Sequence, residues 1–329
     1  MEEPDETDFQ QGEVPDALAG ERLDKVAAIL FQDFSRAELT RWIGAGDLTL
    51  NGETVKPKTK VFGGEQLQLI AQVRDLEAWH EPQAMALDVI YEDADILVLN
   101  KPAGLVVHPG AGNRDRTLVN GLLHYRRTLA ELPRAGIVHR LDKDTSGLMV
   151  VAASSAAYRY LVAAIQARQV ARHYVAVCEG AMVAGQDIDT SIGRDPRARK
   201  RQAVRDDGKP AFTEVRVRDR YRVHTLIEAR LGSGRTHQIR VHLQSIGHPL
   251  VGDRLYGSRG RIPKGAEASM VQLLQSFPRQ ALHAAHLAFE HPVSKEFMAF
   301  DQPPPEDFAH LTELLAADAD LSQVVDAGS

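Results

Sequence analysis

From Asp88 onward the chain alternates short β-rich runs with helical stretches yet never settles into a regular βαβ rhythm, and this irregularity most limits the folds open to it. Ile90-Tyr91 and Ile96-Leu97-Val98-Leu99 flank the turn Glu92-Asp93-Ala94-Asp95, and residues 147–153 read as a buried strand. Residues 154–168 set Tyr158, Leu161, Val162 and Ile165 on one helical face, which predicts a helix. Residues 173–178, 212–217 and 223–229 read as strands, 236–245 as a helix and 282–290 as a late strand. The pattern predicts an α+β fold with a mixed, mainly antiparallel sheet, and it leaves the strand order open.

Ahead of this region lies a smaller unit. Leu23, Val26, Ala27, Leu30 and Phe31 recur at helical spacing, and Ser35-Arg36-Ala37-Glu38 is a capping-box pattern that opens a second helix through Leu39, Trp42 and Ile43. Asn51-Gly52 between alternating apolar residues signals a two-residue hairpin, and a further alternating strand follows Gly63-Gly64. These elements define a small α+β module over 18–80. Residues 1–17 are acidic, poor in apolar side chains and interrupted by Pro4 and Pro15, so they are expected to be a disordered tail. Residues 306–329 are expected to be an acidic C-terminal tail.

Charge must be read by region. The net charge is -6, but residues 1–22 carry eight acids against one Arg, and 302–329 carry six acids and no Lys or Arg. Between Thr190 and Arg222 eleven Lys or Arg face five Asp or Glu. Such a cluster fits either a phosphate-binding surface or a solvated strand face. Cys178 is the only cysteine, which excludes an intramolecular disulfide and a Cys-rich zinc site and suits a reducing compartment. No apolar run approaches the roughly 18 residues of a membrane span, and the acidic N-terminus lacks a signal peptide's basic patch. A cytoplasmic protein without membrane contact is expected.

The segment His139-Arg140-Leu141-Asp142-Lys143-Asp144-Thr145-Ser146-Gly147 packs alternating charges against a buried strand. Chemistry alone reads it first as a capped turn and second as an active-site loop. The order of its residues resembles the signature of the RluA-type pseudouridine synthases. Other stretches agree in order and spacing: Lys101-Pro102-Ala103-Gly104, Arg172-His173-Tyr174, Gly234-Arg235-Thr236-His237-Gln238-Ile239-Arg240 and His248-Pro249-Leu250-Val251-Gly252-Asp253. The resemblance covers residues 18–305 and implies a catalytic domain over 85–305.

It also implies the site. Asp142 is the catalytic carboxylate, Tyr174 covers the flipped uracil, and Arg235 is the cation that keeps Asp142 ionised against burial. Arg140 enters the space left by the base or holds a phosphate, and Lys101 and His139 join it as RNA-contacting candidates. In the smaller module, Gly20-Glu21-Arg22-Leu23-Asp24, Ser35-Arg36 and Leu50-Asn51-Gly52-Glu53-Thr54-Val55-Lys56 resemble the S4 RNA-binding domain, which assigns Arg36, Arg41 and Lys56 to phosphate contacts. The implied reaction breaks the glycosidic bond and rejoins uracil through C5, so neither a cofactor nor a metal is called for. The implied partner is large-subunit ribosomal RNA or its ribosomal precursor, bound by a monomer. Another ribosomal site, a tRNA, or a non-catalytic role in ribosome assembly stay open as alternatives.

Weaker signals carry little. Gly110-Ala111-Gly112 and Gly232-Ser233-Gly234 lack dinucleotide or P-loop spacing, so no nucleotide cofactor is expected. The histidine pairs His237 with His242 and His286 with His291 are five apart and lack a companion set of ligands.

Overall fold

The computed structural model describes residues 8–31, 34, 36–71, 81–109, 113, 115–198, 201–257 and 260–327. The chain forms two compact units, 1–80 and 81–329. In the first, strand β1 (Asp8–Glu13) precedes helices α1 (Leu23–Leu30) and α2 (Arg36–Ala45), followed by strands β2 (Leu48–Leu50) and β3 (Gln66–Ala71). The strands form an antiparallel sheet in the order β1-β3-β2. Of the helical set, Leu23, Val26, Ala27, Phe31, Leu39, Trp42 and Ile43 are buried together with Leu48, Leu67 and Leu69, while Leu30 is only partly buried against them. Asn51 and Gly52 both take positive φ, at 51° and 81°, and Leu50 and Glu53 exchange backbone hydrogen bonds across them. The tight turn therefore falls where the Asn-Gly pair put it.

The expected disordered tail is corrected. Asp8 to Glu13 pair residue by residue with Ala71 to Gln66 of β3, and Val14 enters the core. A β-ladder is satisfied through backbone groups, so an acidic strand can be ordered when its partner is in register. Residues 1–7 of that tail, and Ser35 of the capping box, lie outside the described residues, as do the side chains of Ala37 and Glu38.

The second unit is built on strands β4 (Val89–Glu92), β5 (Ile96–Lys101), β6 (Ser146–Ala152), β7 (Ala171–Glu179), β8 (Gln186–Asp189), β9 (Ile192–Arg194), β10 (Gln202–Val204), β11 (Phe212–Arg220), β12 (His224–Leu231), β13 (Leu282–Glu290) and β14 (Phe297–Asp301). Nine of them form one sheet in the order β4-β5-β6-β13-β7-β12-β11-β8, with β14 also on β13, while β9 and β10 pair separately. Among the described residues only β6 and β13 run parallel. The sheet is thus mixed and mainly antiparallel, as the missing βαβ rhythm implied.

The helices are α3 (Leu118–Tyr125), α4 (Ser155–Gln166), α5 (Gln238–Ser245), α6 (Ala268–Ser276) and α7 (Glu306–Ala327). Alternation along β5 and β6 divides the core in two. Leu97, Leu99, Met149 and Val151 pack with Leu118 and Leu122 of α3 and with Ile239 and Leu243 of α5. Ile96, Val98, Leu148 and Val150 pack with Ala157 and Leu161 of α4. Every residue of β6 is buried, the mark of a strand covered on both faces.

The expected acidic C-terminal tail is also corrected. Within α7, Phe308, Leu311, Leu315 and Ala319 recur three to four residues apart and are buried with Met270 and Leu274 of α6. Arg279 clamps its start, donating from Nε and Nη2 to Asp307 at 2.7 and 2.8 Å. Leu311→Ala is therefore expected to lower the unfolding free energy by about 2–4 kcal/mol, the cost of a fully buried cavity. Urea denaturation monitored by circular dichroism measures it; a change within about 0.5 kcal/mol, as at an ordinary surface position, contradicts the packed helix.

Candidate active site

The charged segment before β6 is fixed by the sheet that follows it. Thr145 Oγ1 accepts from Gln280 Nε2 at 3.1 Å, and Ser146 Oγ lies 2.9 Å from His283 Nδ1, both inside the fold. Gly147 has φ 115°, and a Cβ there would collide with the backbone of Ala284 on β13, so the closest approach of β6 to β13 needs glycine. Leu141 is buried in the core, and Asp142 faces a cleft. The Thr145 N–H donates to the Asp142 carbonyl at 3.1 Å, closing the turn. The segment is a turn, and it carries the Asp142 carboxylate at the edge of the cleft.

Asp142 is held by Arg240, not by Arg235. Arg240 Nη1 donates to Asp142 Oδ2 at 3.0 Å, whereas the Arg235 Nε donates to the Pro210 carbonyl at 3.1 Å from an exposed position. The expected ion pair is thus displaced by five residues within the same motif. Arg235 lies in the turn before α5, whose geometry is set by Gln238: its Oε1 accepts from Arg235 N–H and Ser233 Oγ, and its Nε2 donates to the Phe212 carbonyl and Thr213 Oγ1. His237 caps α5 in a left-handed conformation at φ 57°, and His237 and Arg240, three apart on one helix face, both reach Asp142.

Arg240 is itself gripped from behind. Its Nε and Nη2 donate to Asp253 at 2.7 and 2.9 Å, and the Asp253 side chain is 0% exposed. Asp253 also accepts the N–H groups of Leu255 and Tyr256, both at 2.9 Å. The guanidinium carbon lies 4.9 Å from the Tyr256 ring centre. Burial alone works against charge on both groups. Their mutual hydrogen bonds and attraction overcome it, raising the Arg240 pKa and lowering that of Asp253, so both are charged. Tyr256 Oη accepts from Gln202 N–H and lies 2.7 Å from His237 Nδ1. On its other side His237 Nε2 stands 4.0 Å from Asp142 Oδ1.

The cleft has a volume of about 760 Å³, in the range of a small-molecule site. Tyr174 lines it from β7, and burial pushes its hydroxyl up to about 12, with Arg172 opposing and Asp142 adding to the shift. Tyr174 is therefore a neutral phenol at physiological pH. Arg140 lines the cleft from an exposed position, with Arg134 and Arg168.

One expected RNA-contacting residue, Lys101, is corrected, and a second, His139, has one ring nitrogen committed within the fold. Lys101 is 1% exposed, and its Nζ donates to the carbonyls of Pro102, Leu105 and Lys143 at 2.8 to 3.0 Å. It ties the Lys-Pro loop to the Asp142 loop. Burial pushes its ammonium down to about 7, with Asp144 and Asp142 resisting. The Nε2 of His139 accepts the Val150 N–H at 3.1 Å, so this ring fastens the loop to β6.

The run from Arg194 to Arg222 is not a continuous cationic surface. Arg205 pairs with Asp207, Arg216 with Glu214, Arg218 with Glu228 and Arg222 with Asp318, while Arg220 donates to the carbonyls of Met182 and Val183. Arg199 and Lys200 lie outside the described residues, as does Gly110-Ala111-Gly112. In the first unit Arg36, Arg41 and Lys56 are all exposed. Arg36 nevertheless binds Asp24 at 2.7 Å beside Arg22, and the Arg41 guanidinium lies 6.0 Å from the Trp42 ring centre.

Among the described residues Asp93, Asp95 and His291 gather donor atoms close enough to hold a metal. Asp93 Oδ1 already accepts from Asp95 and Ile96 N–H, Oδ2 accepts from Tyr91 Oη, and Asp95 Oδ1 accepts from Ser154 Oγ. These bonds account for the cluster as the brace of the β4–β5 turn.

Residues 95–245 match the RNA pseudouridylate synthase family, and residues 21–67 match the S4 domain. Over 93% of its length the chain is 51% identical to the ribosomal large subunit pseudouridine synthase D of Vibrio parahaemolyticus, covering 94% of that protein. It is 50% identical to the protein of the same description from Escherichia coli, over 91% of this chain and 92% of the other. Among solved structures, human RNA pseudouridylate synthase domain containing 4 matches with a TM-score of 0.54 and 26% identity, over 70% of this chain and 93% of that one. The chain belongs to the RNA pseudouridylate synthase family, and it is an isomerase that converts uridine in RNA to pseudouridine, with an S4 domain at its N-terminus.

Removing Arg240 should expose how much the site depends on it. Arg240→Met strands the buried Asp253 charge and is expected to cost about 3–5 kcal/mol of stability. The double variant Arg240→Met with Asp253→Leu is expected to recover most of that loss. Asp253 has a folded pKa below its unfolded 3.8, so its contribution is present above that pH and is lost as pH falls below it. Wild type should accordingly lose more stability on acidification below about pH 4 than the double variant. Urea unfolding at neutral and acidic pH checks both; an Arg240→Met protein as stable as wild type contradicts the buried pair.

Proposed function

We propose that this chain modifies uridines in large-subunit ribosomal RNA, in the stem-loop that forms the intersubunit bridge, with Asp142 as the catalytic carboxylate. The observation that carries the reading is a carboxylate paired to Arg240 in a cleft that also holds Tyr174. Support for the RNA target comes from the relatives in Vibrio parahaemolyticus and Escherichia coli, both described as large-subunit synthases.

The chemistry asks for an ionised carboxylate at the ribose, acting by attack at C1′ or removal of the 2′ proton. The Arg240 cation stands beside Asp142, and His237 Nε2 lies 4.0 Å from its other oxygen. Tyr174 lies against the face of the flipped uracil as a neutral ring. Arg140 occupies the gap left in the RNA stack or meets a phosphate, and Arg235, exposed at the cleft margin, meets another. Arg36, Arg41 and Lys56 of the S4 domain hold phosphates of the same RNA. The enzyme works as a cytoplasmic monomer; the single cysteine fits a reducing compartment. No helix among the described residues is long and apolar enough to cross a membrane.

Chemical mapping of pseudouridine in ribosomal RNA from a deletion strain tests the target and the residue together. Wild type should restore the modifications and Asp142→Asn should restore none. Equal restoration by both sinks the role of Asp142, and an intact assembly phenotype with Asp142→Asn favours a binding factor. Absence of restoration by wild type moves the target to another RNA. In purified enzyme, Lys56→Ala should weaken RNA binding with little change in turnover at saturation, and reduce the slope of log K against log salt by about 0.9.

A further inference from the structure

Among the described residues Arg172 is a buried charge whose Nε has no hydrogen-bond partner. It sits on β7 two residues before Tyr174, so both side chains leave the same sheet face and line the same cleft. The residue between them, His173, points away and stacks on His286. Arg172 is 6% exposed, and its Nε is buried without a hydrogen-bond partner among the described residues. A buried guanidinium ordinarily has a carboxylate or a set of carbonyl acceptors, because stranding its donors in a dry site is costly. Here one end abuts the Gly234 turn, where even a Cβ would press on Nη1.

A second residue lining the cleft, His139, also carries a donor without a partner among the described residues. Because His139 Nε2 accepts the Val150 N–H, its proton resides on Nδ1. That Nδ1 is buried and has no acceptor among the described residues. Burial, together with the Arg172 charge, pushes the His139 pKa down to about 3, so the ring stays neutral and keeps this single N–H. Two residues of one cleft thus carry donors that meet no acceptor among the described residues.

We propose that Arg172, seconded by His139 Nδ1–H, binds a carbonyl oxygen of the target uracil and stabilises the negative charge that the base acquires when it leaves the ribose. This rests on the isomerase reading above. The exposed Arg134, Arg140 and Arg168 are placed for RNA phosphates, which remain at the mouth; the interior cation beside Tyr174 is placed for the base. When the C1′–N1 bond breaks, its electron pair moves to N1 and by resonance to O2 and O4. C1′ is meanwhile engaged by Asp142 or held as the C1′–C2′ double bond left when the 2′ proton is removed. The ring turns, C5 supplies a pair to form the C5–C1′ bond, and the C5 proton leaves to a base, returning its pair to the ring. N1 takes up a proton, and C1′ releases Asp142 or C2′ regains its proton. No atom or electron is gained or lost. A fixed cation at a carbonyl oxygen favours the charged, detached base over the neutral bound nucleotide, and that difference lowers the barrier.

The test uses whichever RNA wild type modifies in the mapping experiment, so a wrong target there leaves this test intact. With full-length enzyme under single-turnover conditions, Arg172→Met should lower the rate at saturating RNA about 10²- to 10³-fold, with RNA affinity within about threefold of wild type. Arg172→Lys should retain more rate than Arg172→Met. RNA carrying 2-thiouridine or 4-thiouridine at the target should slow wild type at one of the two positions, sulfur being a weak acceptor, and slow Arg172→Met far less. An affinity loss with unchanged rate makes Arg172 a phosphate ligand and overturns the proposal. So does a rate loss that vanishes when corrected for the folded fraction. If Arg172→Met does not fold, the wild-type arm decides: indifference to both thio substitutions overturns it.

Discussion

The Arg240 guanidinium is the joint on which the catalytic unit turns. One edge is committed to a carboxylate with no exposure, Asp253, and the remaining nitrogen reaches Asp142. A planar fork with five donors suits this double task, because the rigid bidentate grip on Asp253 fixes the direction in which the other nitrogen points. Lysine, a single flexible point charge, offers no equivalent. The cation also meets two carboxylates at once, so each has positive charge beside it. Helix α5 supplies that charge, the loop at Asp253 holds it, and Tyr256 lies against both Arg240 and His237.

Much of this was legible in the sequence, and the failures share a cause. Local periodicity placed the helix at 154–168 against an observed Ser155–Gln166, and the strand over 282–290 matches Leu282–Glu290. Side-chain spacing reports on which face is buried, and that is set locally. Composition misled at both ends of the chain. The acidity of residues 1–17 hid a strand whose partner lies some sixty residues later, and the acidity of 306–329 outweighed Phe308, Leu311 and Leu315, whose spacing was readable. Lys101 looked like a surface cation because the carbonyl of Lys143 that receives it is 42 residues away.

Motif order brought together residues that share one cleft, but not the pairings within it. The stretch from Gly234 to Arg240 offers two arginines, and choosing between them requires knowing where the helix begins. With His237 as its cap, Arg240 lies one turn inside, on the face that His237 shares, while Arg235 falls in the preceding turn. Asp253 was visible within its loop, yet nothing local says that its partner is thirteen residues back. The two orphaned donors, Arg172 and His139, belong to the same class: a missing partner is a property of the folded site alone.

Strand β13 joins the Asp142 loop to the rest of the sheet, and its position late in the chain has a consequence for synthesis. Ser146 and His283 meet across 137 residues, and Thr145 and Gln280 across 135. Loop closures of this length are slow to form and become possible only when the later strand exists. A growing chain that has already made Asp142, Tyr174 and Arg240 still lacks the strand that aligns the first of them. The enzyme is therefore assembled in an order that withholds its chemistry until nearly the whole polypeptide has been made.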